Sequence, residues 1–302
     1  MARVGALGLG LALGLALTSP AVAAPHCTPA QTKTANAALK LSAAAQKASI
    51  ATNLPFGLPK DPHADGREIL VQDGYVVEYD DALRDPVWSA EAVGVKPLGK
   101  VKRIDCFRRD PRVGDAAASL PSDYSEPIFD QGHMSPAGDQ TTSVTAMVNT
   151  TLMSNMTPQY CHFNRGIWEM FEEIVRSWVD NYGTVYVLTG SVFKDDPVER
   201  MKSNNGKSRV AVPSAIYKLL AYKLNNGGLV TLAVELPNTN AKISKPKAVA
   251  YLKSHVVTLG QLKDDTGLKF FPDFAGTIRE ATADTFWDTD HAKYSPIDTA
   301  CH

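Results

Sequence analysis

The stretch FNRGIWEMFEEIVRSWVDNYG, residues 163–183, constrains the fold more than any other in this chain. Ile167, Phe171, Ile174, Val175 and Trp178 recur at helical spacing, and Gly183 supplies a stop. A helix with one apolar face must bury it, and the next residues, TVYVLTGSVF (184–193), read as a buried strand. Two hairpins are predicted around this pair. EILVQDGYVVEYD (68–80) turns at Asp73-Gly74, and RVAVPSAIYKLLAYKL and LVTLAVELP flank Asn225-Asn226-Gly227-Gly228. Helical composition runs from Cys27 to about Ala51, a short helix starts near Thr258, and residues 107–128 are polar and broken by proline. Hairpins mixed with separate helices indicate an α+β fold, a central antiparallel sheet with flanking helices.

The N-terminal residues read as a targeting signal. Met1-Ala2-Arg3 is a basic start, Val4 to Leu17 is an apolar run, and TSPAVAAP supplies small residues of the A-x-A type. The run is shorter than the roughly 20 residues a spanning helix needs. A cleaved signal peptide over 1–24 is therefore expected, leaving 25–302 as one domain, secreted or periplasmic and off the membrane. Four cysteines, Cys27, Cys106, Cys161 and Cys301, contain no C-x-x-C and suggest two disulfides, with three pairings open. A formal charge of −1 shows no global basic balance, so an anionic substrate would need a local patch.

Common site signatures are missing. Gly206-Lys207-Ser208 lacks the first glycine of a phosphate-cradling loop, because position 201 is Met, and neither G-x-S-x-G nor H-E-x-x-H occurs. Chemistry concentrates instead in FDQGHMSPAGDQ (129–140) and SNMTPQYCHFNRGIWEMFEEIVR (154–176). On one continuous helix at ~100° per residue, Asn164, Glu172 and Arg176 would share an arc of roughly 120° beside the apolar face. Taken singly, each has a bland explanation as a cap or a surface ion pair. The two asparagines and the Thr-Pro-Gln turn directly before the helix weigh against it.

These pieces resemble one family. Asp130-Gln131-Gly132-His133, Ser154-Asn155-Met156-Thr157-Pro158-Gln159, and Asn164-Arg165-Gly166-Ile167-Trp168 with Glu172 and Arg176 match the pattern of the DNA/RNA non-specific endonucleases. The resemblance continues through VYVLTGSVF, VAVPSAIYKL and TGLKFF, and covers roughly residues 68–275. It implies a ββα-metal (His-Me finger) site acting on DNA and RNA with Mg²⁺, or with Mn²⁺ as a substitute. His133 would be the general base, since a neutral imidazole with pKa near 6.5 can take a proton from water. Asn164 would ligate the metal and Glu172 would hold its water ligands. Asn155 would position the site, Arg176 would neutralise phosphate charge, and an upstream arginine maps to Arg103, with Arg108 and Arg109 close by. Asp130, Gln131 and Gly132 would position the base and substrate.

One departure stands out. The family usually reads D-R-G-H, and Gln131 carries no charge. The alternative is a nucleic-acid-binding protein of nuclease fold whose turnover is weak or lost at this position. A nuclease restricted to one nucleic acid is a third reading, and a homodimer is left open. N-x-T sequons occur at Asn149 and Asn155; a sugar on Asn155 would block the site, which favours bacterial export.

Overall fold

The β-rich runs join into one eight-stranded sheet with helices on both faces. The structure, a computed structural model, describes Met1, residues 26–62, 65–96, 98–202 and 208–290, and Cys301. In chain order the elements begin with helices α1 (Pro29–Ala37) and α2 (Ala43–Asn53) and strands β1 (Arg67–Val71), β2 (Tyr75–Asp80), β3 (Asp85–Val93) and β4 (Phe129–His133). Helix α3 (Val144–Thr150), strand β5 (Met156–Tyr160), helix α4 (Glu169–Tyr182) and strand β6 (Val185–Val192) follow. The remainder is β7 (Arg200–Lys202), β8 (Ser208–Ala211), β9 (Ala215–Lys223), β10 (Leu229–Pro237), helix α5 (Lys245–Ser254), β11 (Val256–Val257), helix α6 (Leu259–Thr266) and β12 (Ile278–Glu280).

Strands order as β1-β2-β3-β6-β9-β10-β11, with β12 also on β10; among the described residues only the β10–β12 pair of this sheet is parallel. The first hairpin turns at Asp73-Gly74 as expected. The second is β9–β10, but its first run is cut in two. Pro213 has no N–H to give a ladder, so β8 ends at Ala211 and pairs with β7 instead. Residues 107–128 hold no strand and one short 3-10 turn.

The predicted helix also differs in one respect. Phe163–Trp168 form a wide π turn, with Gly166 at φ −119° and ψ −106°, and the regular helix starts at Glu169. A residue without Cβ accepts that backbone. Asn164 therefore lies outside the regular helix, and the arc computed for it on one continuous α-helix does not hold. The apolar face is as expected: Ile167, Phe171, Ile174, Val175 and Trp178 are buried against Val187 of β6, Ile216 and Leu220 of β9, and Leu232 of β10. Each such side chain contributes about 1.5–3 kcal/mol relative to exposure. On the opposite sheet face Trp88, Tyr217 and Leu219 pack with Leu54 beyond α2 and Leu262 of α6.

Cysteines pair as Cys27–Cys106 and Cys161–Cys301. The first bond ties the segment before α1 to the loop after β3. Among the described residues no helix is long and apolar enough to cross a membrane. Residues 2–25, which carry most of the expected signal, lie outside the described residues.

Candidate active site

Strand β4 leaves the main sheet and, among the described residues, pairs only with β5, setting His133 opposite Met156 and Gly132 opposite Thr157. Glycine is required at 132 by space, since a Cβ there would fall 2.1 Å from Gln159 Cδ. The π turn and α4 follow directly, so β4, β5 and α4 make a ββα unit. Its concave side opens on a cavity of about 990 Å³. His133, Asp130, Gln131, Asn164, Glu172, Arg176 and Arg103 all line that cavity. Asn155, Arg108 and Arg109 do not.

Those three have other work. Asn155 is fully buried: its Oδ1 accepts from Ser135 N at 2.9 Å, and its Nδ2 donates to Ser135 O at 2.9 Å and Thr150 O at 2.8 Å. It thereby clasps the backbone just beyond His133. Arg108 donates to Asn36 Oδ1 at 2.9 Å, Val148 O at 2.7 Å and Asn149 Oδ1 at 2.7 Å, and so braces α1 and α3. Arg109 binds Val113 O and Asp115. Of the three upstream arginines, Arg103 is the one at the cavity, held at 2.9 Å by Asp105. Asn149 and Asn155 are both buried, so neither sequon is open to a sugar in the folded chain.

His133 is buried at the end of β4, with Nε2 shielded from solvent and without a hydrogen-bond partner. Phe107 meets its ring edge-on at 5.9 Å between centroids. Burial, reinforced by the Arg103 charge, drops its pKa to about 3, well below the ordinary value near 6.5. The imidazole is accordingly neutral throughout the working range, without the inflection near 6.5 that an ordinary histidine would give.

Asn164 donates from Nδ2 to Asp130 Oδ2 at 2.9 Å. Only the nitrogen end can donate to a carboxylate, so Oδ1 is the end left to accept or to ligate. Asp130 is further clamped by Arg165, Nε to Oδ2 at 2.8 Å and Nη2 to Oδ1 at 2.7 Å. Arg176 is anchored by Asp139 Oδ1 at 3.0 Å. Burial pushes the Glu172 carboxyl up to about 7 against the opposing charges of Lys218 and Arg176, with Asp139 and Glu169 raising it further.

Among the described residues no three His, Cys, Asp or Glu side chains cluster in a way that would hold a metal. One amide oxygen and one carboxylate lining the same cavity suit a hard cation that keeps several of its waters, as Mg²⁺ does. Arg165, Glu169, Lys102 and Phe107 line the cavity too and were not singled out from the sequence. Glu169 carried a signal, three residues before Glu172 on the same helix face.

Comparison with known proteins fits this geometry. The family model described as DNA/RNA non-specific endonuclease matches residues 55–276. The chain belongs to that family. It is 32% identical over 226 residues to mitochondrial nuclease EXOG of Danio rerio, covering 72% of this chain and 63% of that protein's length. It is 32% identical to nuclease C1 of Cunninghamella echinulata var. echinulata, covering 72% and 86%, and 30% identical to mitochondrial endonuclease G of Homo sapiens, covering 76% and 77%. A chain in the crystal structure of the EndoG/EndoGI complex superimposes with a TM-score of 0.62 at 26% identity, covering 76% of this chain and 96% of that one.

Proposed function

We propose that this protein is a Mg²⁺-dependent endonuclease that hydrolyses phosphodiester bonds in DNA and RNA with little sequence preference. The observation that carries the reading is His133, a neutral imidazole with an unpartnered buried nitrogen, on one cavity with Asn164, Glu172, Arg176 and Arg103. His133 takes the proton of the attacking water. With a pKa of about 3 it is a weak base in the free protein. A phosphate seated against Arg103 offsets one of the two causes of that depression and strengthens the base as substrate binds. Arg176, held by Asp139, faces the negative charge that grows on the phosphate. Asn164 Oδ1 would hold the metal, with Glu172 beside it. When bound, the ion polarises the phosphate and stabilises the departing 3′-oxygen. Contacts to phosphate and sugar carry no base information, which supports the lack of sequence preference.

Export to an oxidising compartment is part of this reading, supported by the two disulfides and by the N-terminal sequence. The test is digestion of supercoiled plasmid and of RNA with Mg²⁺, Mn²⁺ or chelator. Cleavage of both that stops with chelator is expected. Nucleic-acid binding without cleavage under every metal condition would overturn the proposal in favour of a binding protein.

A further inference from the structure

The loop that leaves His133 and the residue that anchors Arg176 hang on one buried oxygen. Glu91 stands in the middle of the sheet, on β3, opposite Tyr75 of β2 and Val187 of β6, and is 3% exposed. Its Oε2 accepts from Ser135 Oγ at 2.7 Å and from Gln140 Nε2 at 3.2 Å. Ser135 lies two residues beyond His133, and Asn155 already holds its backbone. Gln140 directly follows Asp139, whose Oδ1 accepts from Arg176 at 3.0 Å. The same Gln140 amide donates to Gly74 O at 3.2 Å, which ties it to the β1–β2 turn as well. The chain between His133 and Gln140 is thus hooked to the sheet near both of its ends. Glu91, Ser135 and Gln140 all lie behind the cavity and not on its wall.

A carboxyl in the interior is costly to desolvate, and an apolar side chain would fill the space without that cost. Burial, reinforced by Asp139, raises this one to about 8, with Ser135, Lys218 and Gln140 opposing. We propose that Glu91 is a positioning residue that fixes the imidazole of His133 relative to the guanidinium of Arg176. It touches neither substrate nor metal and acts only through Ser135 and Gln140. This rests on the nuclease reading above.

The test is made in the full chain, with kcat and KM on plasmid DNA at saturating Mg²⁺, below the melting temperature of every variant. Glu91→Ala should lower kcat by about 10²-fold, the cost of a misplacement on the order of 1 Å. KM, and DNA affinity measured in chelator, should change little. Glu91→Gln should recover most of the rate, because its amide oxygen can accept both hydrogen bonds. Ser135→Ala removes one hook alone, so it should lower kcat by less and add little when combined with Glu91→Ala. A wild-type kcat in folded Glu91→Ala, a raised KM at unchanged kcat, or a loss in Glu91→Gln as large as in Glu91→Ala would overturn the inference. If Glu91→Ala does not fold, Ser135→Ala decides: a lower kcat at unchanged KM supports the inference, and any other pattern overturns it. A wild-type protein that cleaves neither plasmid nor RNA would remove the nuclease reading itself, whereas the failures above leave that reading standing.

Discussion

The segment Ser154–Thr157 and the wall from Asn164 to Arg176 are both polar stretches of one motif, yet they do opposite work. In the first, each polar side chain has its own buried strut. Ser154 donates to Asp110 at 2.6 Å, Asn155 binds Ser135 and Thr150, and Thr157 donates to Asp85 at 2.8 Å. None of these three lines the cavity. In the second, Asn164, Glu172 and Arg176 all face the cavity, and Glu172 is held there at a cost in ionisation. Buried polar groups must be satisfied, and a group that is satisfied has little left to offer a substrate. On the proposed function, the segment is scaffold and the wall is where the chemistry would be done.

The largest effect that separates the two belongs to His133. His133→Ala should lower kcat by about 10²–10⁴-fold, the usual reach of a general base. The variant should stay folded with DNA affinity close to wild type, although truncating a buried ring packed on Phe107 leaves a cavity that lowers its melting temperature. A near-normal rate would mean another group activates the water.

Asn155→Ala should show the reverse signature. It strands Ser135 N–H, Ser135 O and Thr150 O in the interior, and each orphaned group costs about 1–3 kcal/mol. Chemical denaturation should reveal a stability loss of that order or more, with activity falling only as the fold loosens. Asn164→Ala is its partner experiment. It should raise the Mg²⁺ midpoint for cleavage while leaving the denaturation curve almost unmoved. An unchanged midpoint would reduce Asn164 to a structural residue of the turn.

The wall should also be visible in pH dependence. Glu172 is raised to about 7, and on the proposed function it would have to be ionised to serve the metal. Below pH 7 it holds a proton that the cation has to displace, so Mg²⁺ affinity should rise up to tenfold per pH unit and level off above 7. For stability the sign is the reverse. The folded state binds the extra proton between about pH 4.5 and 7, so this group's contribution is present at low pH and is lost as pH rises through 7. Glu172→Gln should abolish the pH dependence of affinity. His133, already neutral, should add no inflection near 6.5. A Mg²⁺ affinity flat from pH 5 to 8 would break the assignment of Glu172.

This contrast also explains what the sequence could reveal. Asn155 and Asn164 look alike as letters, and the family resemblance marked both. What separates them is burial, which depends on Thr150 and Ser135 closing over one and Asp130 turning the other. The sheet and its two hairpins were legible because alternation and turn residues are local signals. The π turn was not, since its apolar spacing is close to that of a helix and only Gly166 breaks the backbone. Arg165 looked like an ordinary surface arginine until β4 brought Asp130 beneath it. Lys218 had a signal that went unread. It lies between Ile216 and Leu220 on the buried alternation of β9, where its Nζ donates to Thr189 Oγ1 at 3.0 Å and lies 4.5 Å from the Trp168 ring centre.

The smallest effect tests the scaffold side at its weakest strut. Thr157→Val keeps the shape of the side chain and removes only the hydroxyl that donates to Asp85 Oδ2. Asp85 is fully buried, and burial holds its carboxyl well above the usual range, which favours the neutral form when one donor is lost. Ser191 Oγ still reaches the same oxygen at 3.2 Å. One side-chain hydrogen bond is therefore at stake, about 0.5–1.5 kcal/mol. In a chain of this size that corresponds to a fall in melting temperature of about 1–6 °C. The rate should stay within about twofold of wild type, a difference of under ~0.5 kcal/mol in the barrier. Thr157 is paired with Gly132 across the hairpin, one residue from His133, so the experiment is not trivial. A tenfold loss of kcat at unchanged stability would show that β5 sets the position of the base through this hydroxyl, and the division between scaffold and chemistry would have to be redrawn on the strand itself.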